Sequence, residues 1–169
     1  DANTEGSYNV AMGVNALGAN TTADYNVAVG FGALIANTTG TGNVALGANS
    51  LDANTTADNN VAIGLNALGA NTTGDKNVAV GQSALPTSTT AVHNVAIGQA
   101  CMEACTTGSN NVAIGRIALL SSTSAENNTA IGANSLKDCT TGSGNVAVGQ
   151  DSAENITTGA NNICIGIDC

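Results

Sequence analysis

The chain has no tryptophan, two tyrosines and one phenylalanine, so aromatics make up 2% of its 169 residues. Large rings supply much of the apolar volume of an ordinary core, and their scarcity excludes a thick globular interior. Positive charge is equally rare: Lys76, Arg116 and Lys137 stand against 12 acidic residues, for a net charge of −9. Such a surface has almost nothing with which to neutralise phosphates, which argues against nucleic acid and anionic membrane as partners. No apolar run approaches the roughly 20 residues that span a bilayer, so no membrane insertion is expected, and no basic segment followed by an apolar stretch marks a secretory signal.

What remains is 21 glycines and 43% hydrophobic residues, nearly all Ala, Val, Ile and Leu, with only 9% charged. Disordered chains combine low hydrophobicity with high charge, and this one does not. Its order is that of a repeat. Asn recurs at Asn9, Asn26, Asn43, Asn60, Asn77, Asn94, Asn111, Asn128, Asn145 and Asn162, always 17 residues apart and with no insertion. Read from that Asn, the unit is N-V-A-I-G-x-x-A-L-x-x-N-T-T-G-x-N, nearly complete in Asn60 to Lys76. Numbered from it, positions run from 1 to 17.

Helical repeats need about 34 residues or more, whereas a short unit rich in Gly, Asn and Thr suits strands. The predicted fold is therefore an all-β parallel β-solenoid of about ten 17-residue coils forming one domain over 1–169. Asp1 to Tyr8 is a partial coil, nine full coils run from Asn9 to Asn161, and Asn162 to Cys169 is a second partial coil. At a rung spacing of about 4.8 Å the rod would be roughly 48 Å long.

The β-formers at positions 2 and 4 lie two residues apart and share one face of a strand. They are expected to line the interior, with Leu at position 9 as a further inward column. Alternation then turns the intervening Ala outward. Ala11, Ala28, Ala45, Ala62, Ala79, Ala96, Ala113, Ala130 and Ala147 would form a narrow apolar stripe suited to packing chain against chain, unless Ala there merely tolerates either environment. Gly at position 5 marks a corner needing positive φ or close backbone approach. The Asn at position 1 reads as a structural ladder, bonding backbone groups and its own kind along the axis.

The motif N-V-A-I-G-x-x-A resembles the head repeats of trimeric autotransporter adhesins, and the full unit with its N-T-T-G segment resembles repeats of phage and other viral tail-fibre proteins. The likeness covers essentially the whole chain. It implies a stacked parallel β-roll, side-by-side trimers, and a place outside the cell, on its surface or on a virion. The 17-residue unit is longer than that of the adhesin heads, and no neck, coiled-coil stalk or membrane anchor is recognisable. The expected function is the shaft of a fibre whose main partner is itself, with adhesion to a cell-surface or matrix receptor as further work of its surface. Copies could also stack end to end, since the two partial coils nearly complement one another; a piece of a longer array would look the same.

Enzyme chemistry and cofactors are not expected, because no acid, base and nucleophile converge. His93 sits at the variable position 17. Asp24, Asp58, Asp75 and Glu126 share position 16, but too few coils carry a carboxylate there for a calcium array. The five cysteines, Cys101, Cys105, Cys139, Cys164 and Cys169, lack zinc spacing. Their odd number leaves Cys169 as a candidate intermolecular thiol, and a Cys101–Cys105 bridge is open. The alternative function is ice binding by the threonine array Thr21, Thr22, Thr38, Thr39, Thr55, Thr56, Thr72, Thr73, Thr89, Thr90, Thr106 and Thr107, although adjacent threonines do not share one strand face. N-x-T triplets at Asn20, Asn37, Asn54, Asn71, Asn127 and Asn155 would accept glycans in a eukaryotic secretory setting.

Overall fold

A computed structural model describes residues 3–169, which wind as one β-solenoid. Of the opening partial coil, Asp1 and Ala2 lie outside the described residues. Each coil supplies one three-residue strand at positions 2 to 4, from β1 (Val10–Met12), β2 (Val27–Val29) and β3 (Val44–Leu46) to β9 (Val146–Val148) and β10 (Ile163–Ile165). The strands stack in chain order into a ten-stranded parallel sheet. Register follows the repeat: Val27 pairs with Val44, Ala28 with Ala45 and Val29 with Leu46. No helix occurs among the described residues, and so none long and apolar enough to cross a membrane.

Backbone bonds run along the axis all around the coil. In neighbouring coils the Val27 N–H donates to Asn43 O at 2.8 Å, Leu34 to Ser50 O at 3.0 Å, Thr38 to Thr55 O at 3.0 Å and Asn59 to Thr41 O at 2.9 Å. The glycine corner is steric. Gly64 has φ +129°, and a Cβ built there would meet the oxygen of Gly81 in the next coil at 2.6 Å. Beyond the corner the chain turns through left-handed residues at positions 7 and 9. The second is the leucine column itself, with Leu34 at φ 52° and Leu68 at φ 51°, both fully buried.

The assignment of strand faces is the reverse of the sequence expectation. Ala28, Ala45, Ala62, Ala79, Ala96, Ala113, Ala130 and Ala147 are completely buried, whereas the flanking Val and Ile columns are half-buried or exposed. In the terminal β1, Ala11 is exposed with its neighbours. The proposed alanine contact stripe is thus withdrawn: its residues are core. The reason is room. Each central coil interior already holds the position-9 side chain, leucine in most coils, the position-8 side chain and the position-1 amide, all fully buried. It also holds the fully buried position-12 side chain, which is Asn as far as Asn71 and Ser or Cys from Ser88 to Cys139. Only a methyl group is left space at position 3, and interiors close to crystal packing density. A slip of one residue exchanges the faces of a strand, and here both alternating sets are apolar.

Candidate functional site

Two asparagine columns occupy the interior. At position 1, the Asn43 N–H donates to Asn26 Oδ1 at 2.9 Å, its Nδ2 donates to Ala57 O at 2.8 Å, and its Oδ1 accepts the Asn60 N–H at 2.9 Å. Each side-chain amide therefore ties its own coil to the next, and each asparagine N–H ties back to the amide of the coil before. At position 12, Asn20, Asn37, Asn54 and Asn71 form a second amide column that the sequence reading assigned to glycan acceptors. Asn54 Nδ2 donates to Asn37 Oδ1 at 2.8 Å and to Ala57 O at 3.1 Å. All four side chains are fully buried. Glycosylation at Asn20, Asn37, Asn54 and Asn71 is incompatible with this structure, because the amides are inside the rod and committed. Asn127 and Asn155 are exposed.

The threonine pairs split into unlike columns. The first member is half-buried in most coils, and its hydroxyl donates to the next coil: Thr38 Oγ1 to Thr55 O at 3.0 Å, Thr72 Oγ1 to Thr89 O at 3.1 Å, Thr106 Oγ1 to Thr123 O at 3.1 Å. Thr21, Thr55 and Thr89 bond in the same way. The second members, Thr22, Thr39, Thr56, Thr73, Thr90 and Thr107, are exposed. Only one column thus stands wholly outward, so the array does not make a flat face of two outward hydroxyl rows.

Cysteines follow the core. Cys101, Cys105 and Cys139 are free and buried, and no Cys101–Cys105 bridge forms. Burial pushes the Cys101 thiol up to about 12 and the Cys105 thiol up to about 11, so neither is an accessible nucleophile. Cys169 bonds to Cys164 within its own coil, with Cα atoms 5.8 Å apart. This corrects its expected role as an intermolecular thiol: positions 3 and 8 face each other across the thin core. The position-16 carboxylates cap backbone, Asp58 Oδ1 accepting the Thr41 N–H at 2.7 Å and Asp75 Oδ1 the Asp58 N–H at 2.8 Å. Among the described residues no three His, Cys, Asp or Glu side chains gather as a metal-holding group.

The outward surface of the sheet is the feature that sequence reasoning misplaced. Every exposed large hydrophobic residue among those described, apart from Tyr8 and Tyr25, belongs to position 2, 4 or 6. Met12, Leu46, Ile63, Ile97, Ile114, Ile131 and Ile165 form the position-4 column, and Val14, Phe31, Leu65 and Ile167 stand beside it at position 6. A signal for this was present. Position 3 is Ala in nine successive coils, as a site short of space must be, whereas position 4 varies freely among Met, Val, Leu and Ile.

Searches of family models, curated proteins and solved structures found no match.

Proposed function

We propose that this chain is a structural repeat protein, the shaft of an extracellular or virion fibre, and that its copies associate side by side through the outward Val and Ile columns of the sheet. The observation that carries this reading is the one-sided concentration of exposed aliphatic residues at positions 2, 4 and 6. Position 6 is polar at Gln82, Gln99, Arg116 and Gln150, so the apolar face is that of the strands themselves. Ten three-residue strands at about 4.8 Å, each presenting about 10 Å of chain, give on the order of 500 Å². That lies in the upper part of the range of largest apolar patches on monomers, about 300–600 Å², and is more than half of the roughly 800 Å² that a standard interface takes from each partner. A second copy carries the same columns at the same 17-residue repeat, so one chain matches another along the whole rod. Adhesion to a cell or matrix receptor would be work for the remaining surfaces.

The test is electron microscopy and sedimentation of the protein beside a variant carrying Ile97→Glu and Ile114→Glu. Rods several chains thick that fall apart in the variant, with circular dichroism unchanged, are the expected result. A dispersed wild-type monomer would sink lateral assembly. If that monomer also showed thermal hysteresis, the exposed threonine column would become the functional face instead.

A further inference from the structure

Position 17 is exposed and left-handed, so its side chains stand away from the rod, one above another. Tyr8 and Tyr25 fill it in successive coils, 75% and 62% exposed, with φ 59° in both. Their rings are stacked, centroids 5.0 Å apart and 5° from parallel. That separation matches the rung spacing of about 4.8 Å, so the two rings follow one another up the rod with the rungs. The face of Tyr25 turned away from Tyr8 therefore looks toward the next rung, where the residue is Gly42 and no side chain stands. Gly42 has φ +66°, and Oδ1 of Asn59, one rung further, would lie 2.8 Å from a Cβ built upon it. The Asn59 amide thus leans into the gap.

The backbones of Tyr25 and Asn59 are two rungs apart, about 9.5 Å. The Asn59 amide takes up part of that distance, and a flat ring at a stacking contact of about 3.5–4 Å would lie on the uncovered face of Tyr25, in the outer part of the gap. Its wall carries Asp58, whose Oδ1 takes the Thr41 N–H at 2.7 Å and the Thr41 hydroxyl at 3.1 Å. These bonds hold the carboxylate at the level of Gly42, and among the described residues its second oxygen and the Asn59 amide have no hydrogen-bond partner.

We propose that the open face of Tyr25, the missing rung at Gly42, and the polar groups of Asp58 and Asn59 form a site for one neutral hexopyranose ring. The chemistry suits that class. An aromatic face accepts the C–H face of a pyranose, while a carboxylate and an amide together supply acceptors and donors to its hydroxyls. Asp24 and Asp58 make the surroundings negative and select against acidic sugars. A similar gap at Gly144, between Asn127 and Asn161, has no aromatic lid and serves as an internal control. The site does not depend on lateral assembly, since it uses none of the columns at positions 2, 4 and 6.

With no tryptophan and only these two tyrosines in the chain, tyrosine emission reports on the stack alone. The full chain is titrated with methyl glycosides of galactose, glucose and mannose, and with neutral oligosaccharides ending in the same sugars. The expected result is a saturable change of emission in the millimolar range, with saturation transfer to the sugar C–H protons. Gly42→Tyr fills the rung with the backbone conformation that Tyr25 already adopts and should abolish the response, as should Tyr25→Ala; Gly144→Tyr should leave it unchanged. Circular dichroism checks that each variant folds. Equal response to free glycoside and oligosaccharide identifies single-ring recognition, and response to the oligosaccharide alone identifies glycan chains as the source. No saturable response to any neutral sugar, or a response that survives both Gly42→Tyr and Tyr25→Ala in folded protein, overturns the proposal.

Discussion

Asn43 shows how much one side chain holds. Replacing it by Ala leaves the Asn60 N–H and Asn60 Nδ2 without their acceptor, both in the interior, while Ala57 O keeps the Asn54 Nδ2 donor alone. Each orphaned buried group costs about 1–3 kcal/mol, so Asn43→Ala should lose about 2–5 kcal/mol in a urea titration. The position-12 column offers the opposite case. It ends where Asn71 meets Ser88, and both Asn71 Oδ1 and Ser88 Oγ are buried without partners. In Ser88→Asn, Nδ2 would reach Asn71 Oδ1 and Ala91 O, as Asn54 Nδ2 reaches Asn37 Oδ1 and Ala57 O. That variant should gain about 1 kcal/mol, read as a higher midpoint at unchanged slope. The thiols report burial directly. With Cys101 and Cys105 pushed up to about 12 and about 11, both stay protonated below those values. At pH 8 they should resist alkylation in the folded protein, and mass spectrometry should find them, with Cys139, modified only after denaturation.

Within the element, the strand and its corner act as a unit. Position 5 needs both a φ outside the range of L side chains and a backbone-to-backbone approach along the axis. Gly64→Ala would place its Cβ 2.6 Å from Gly81 O and 2.7 Å from Gly81 C, atoms that are themselves pinned in the ladder. Strain of about 1–3 kcal/mol from the dihedral adds to about 1–3 kcal/mol of overpacking. The expected outcome is a loss of several kcal/mol, with hydrogen exchange fastest in the coils on either side of the change. The Pro86 turn is the irregular member of its set. Proline has no N–H to give within the coil, as Gly69 gives to Asn66 O. At the following position, where Ala70 and Ala104 use their N–H groups, the Thr87 hydroxyl bonds Glu103 O.

For the whole molecule, the proposed lateral assembly would set apolar contact against charge. Each chain carries a net charge of −9, and like-charged rods repel over a Debye length of about 30 Å at 10 mM salt but about 8 Å at 150 mM. Association through the Val and Ile face should therefore strengthen with salt, and ammonium sulfate should promote it further. Sedimentation velocity across that range checks this; assemblies that dissociate on adding salt would point to ionic contacts instead of the sheet face.

The sequence by itself determined the coil. A strict 17-residue period, glycine at each corner and β-formers at positions 2 and 4 leave few alternatives to parallel strands stacked in register, because local turn chemistry and repeat length are written into each unit. The leucine column and the position-1 asparagines were legible for the same reason. Which strand face is inside was decided only by the tertiary structure. Val, Ala and Ile are all apolar, and hydrophobicity cannot rank two apolar faces, whereas the volume within one closed coil can. That volume admits a leucine, one or two amides and a methyl group, and it sends the larger aliphatic residues outward. The same limit buried the position-12 asparagines that resembled glycan acceptors and turned the Thr38 and Thr72 hydroxyls to the backbone. Cys164 and Cys169, five residues apart in the chain, meet because positions 3 and 8 oppose each other across an interior that narrow.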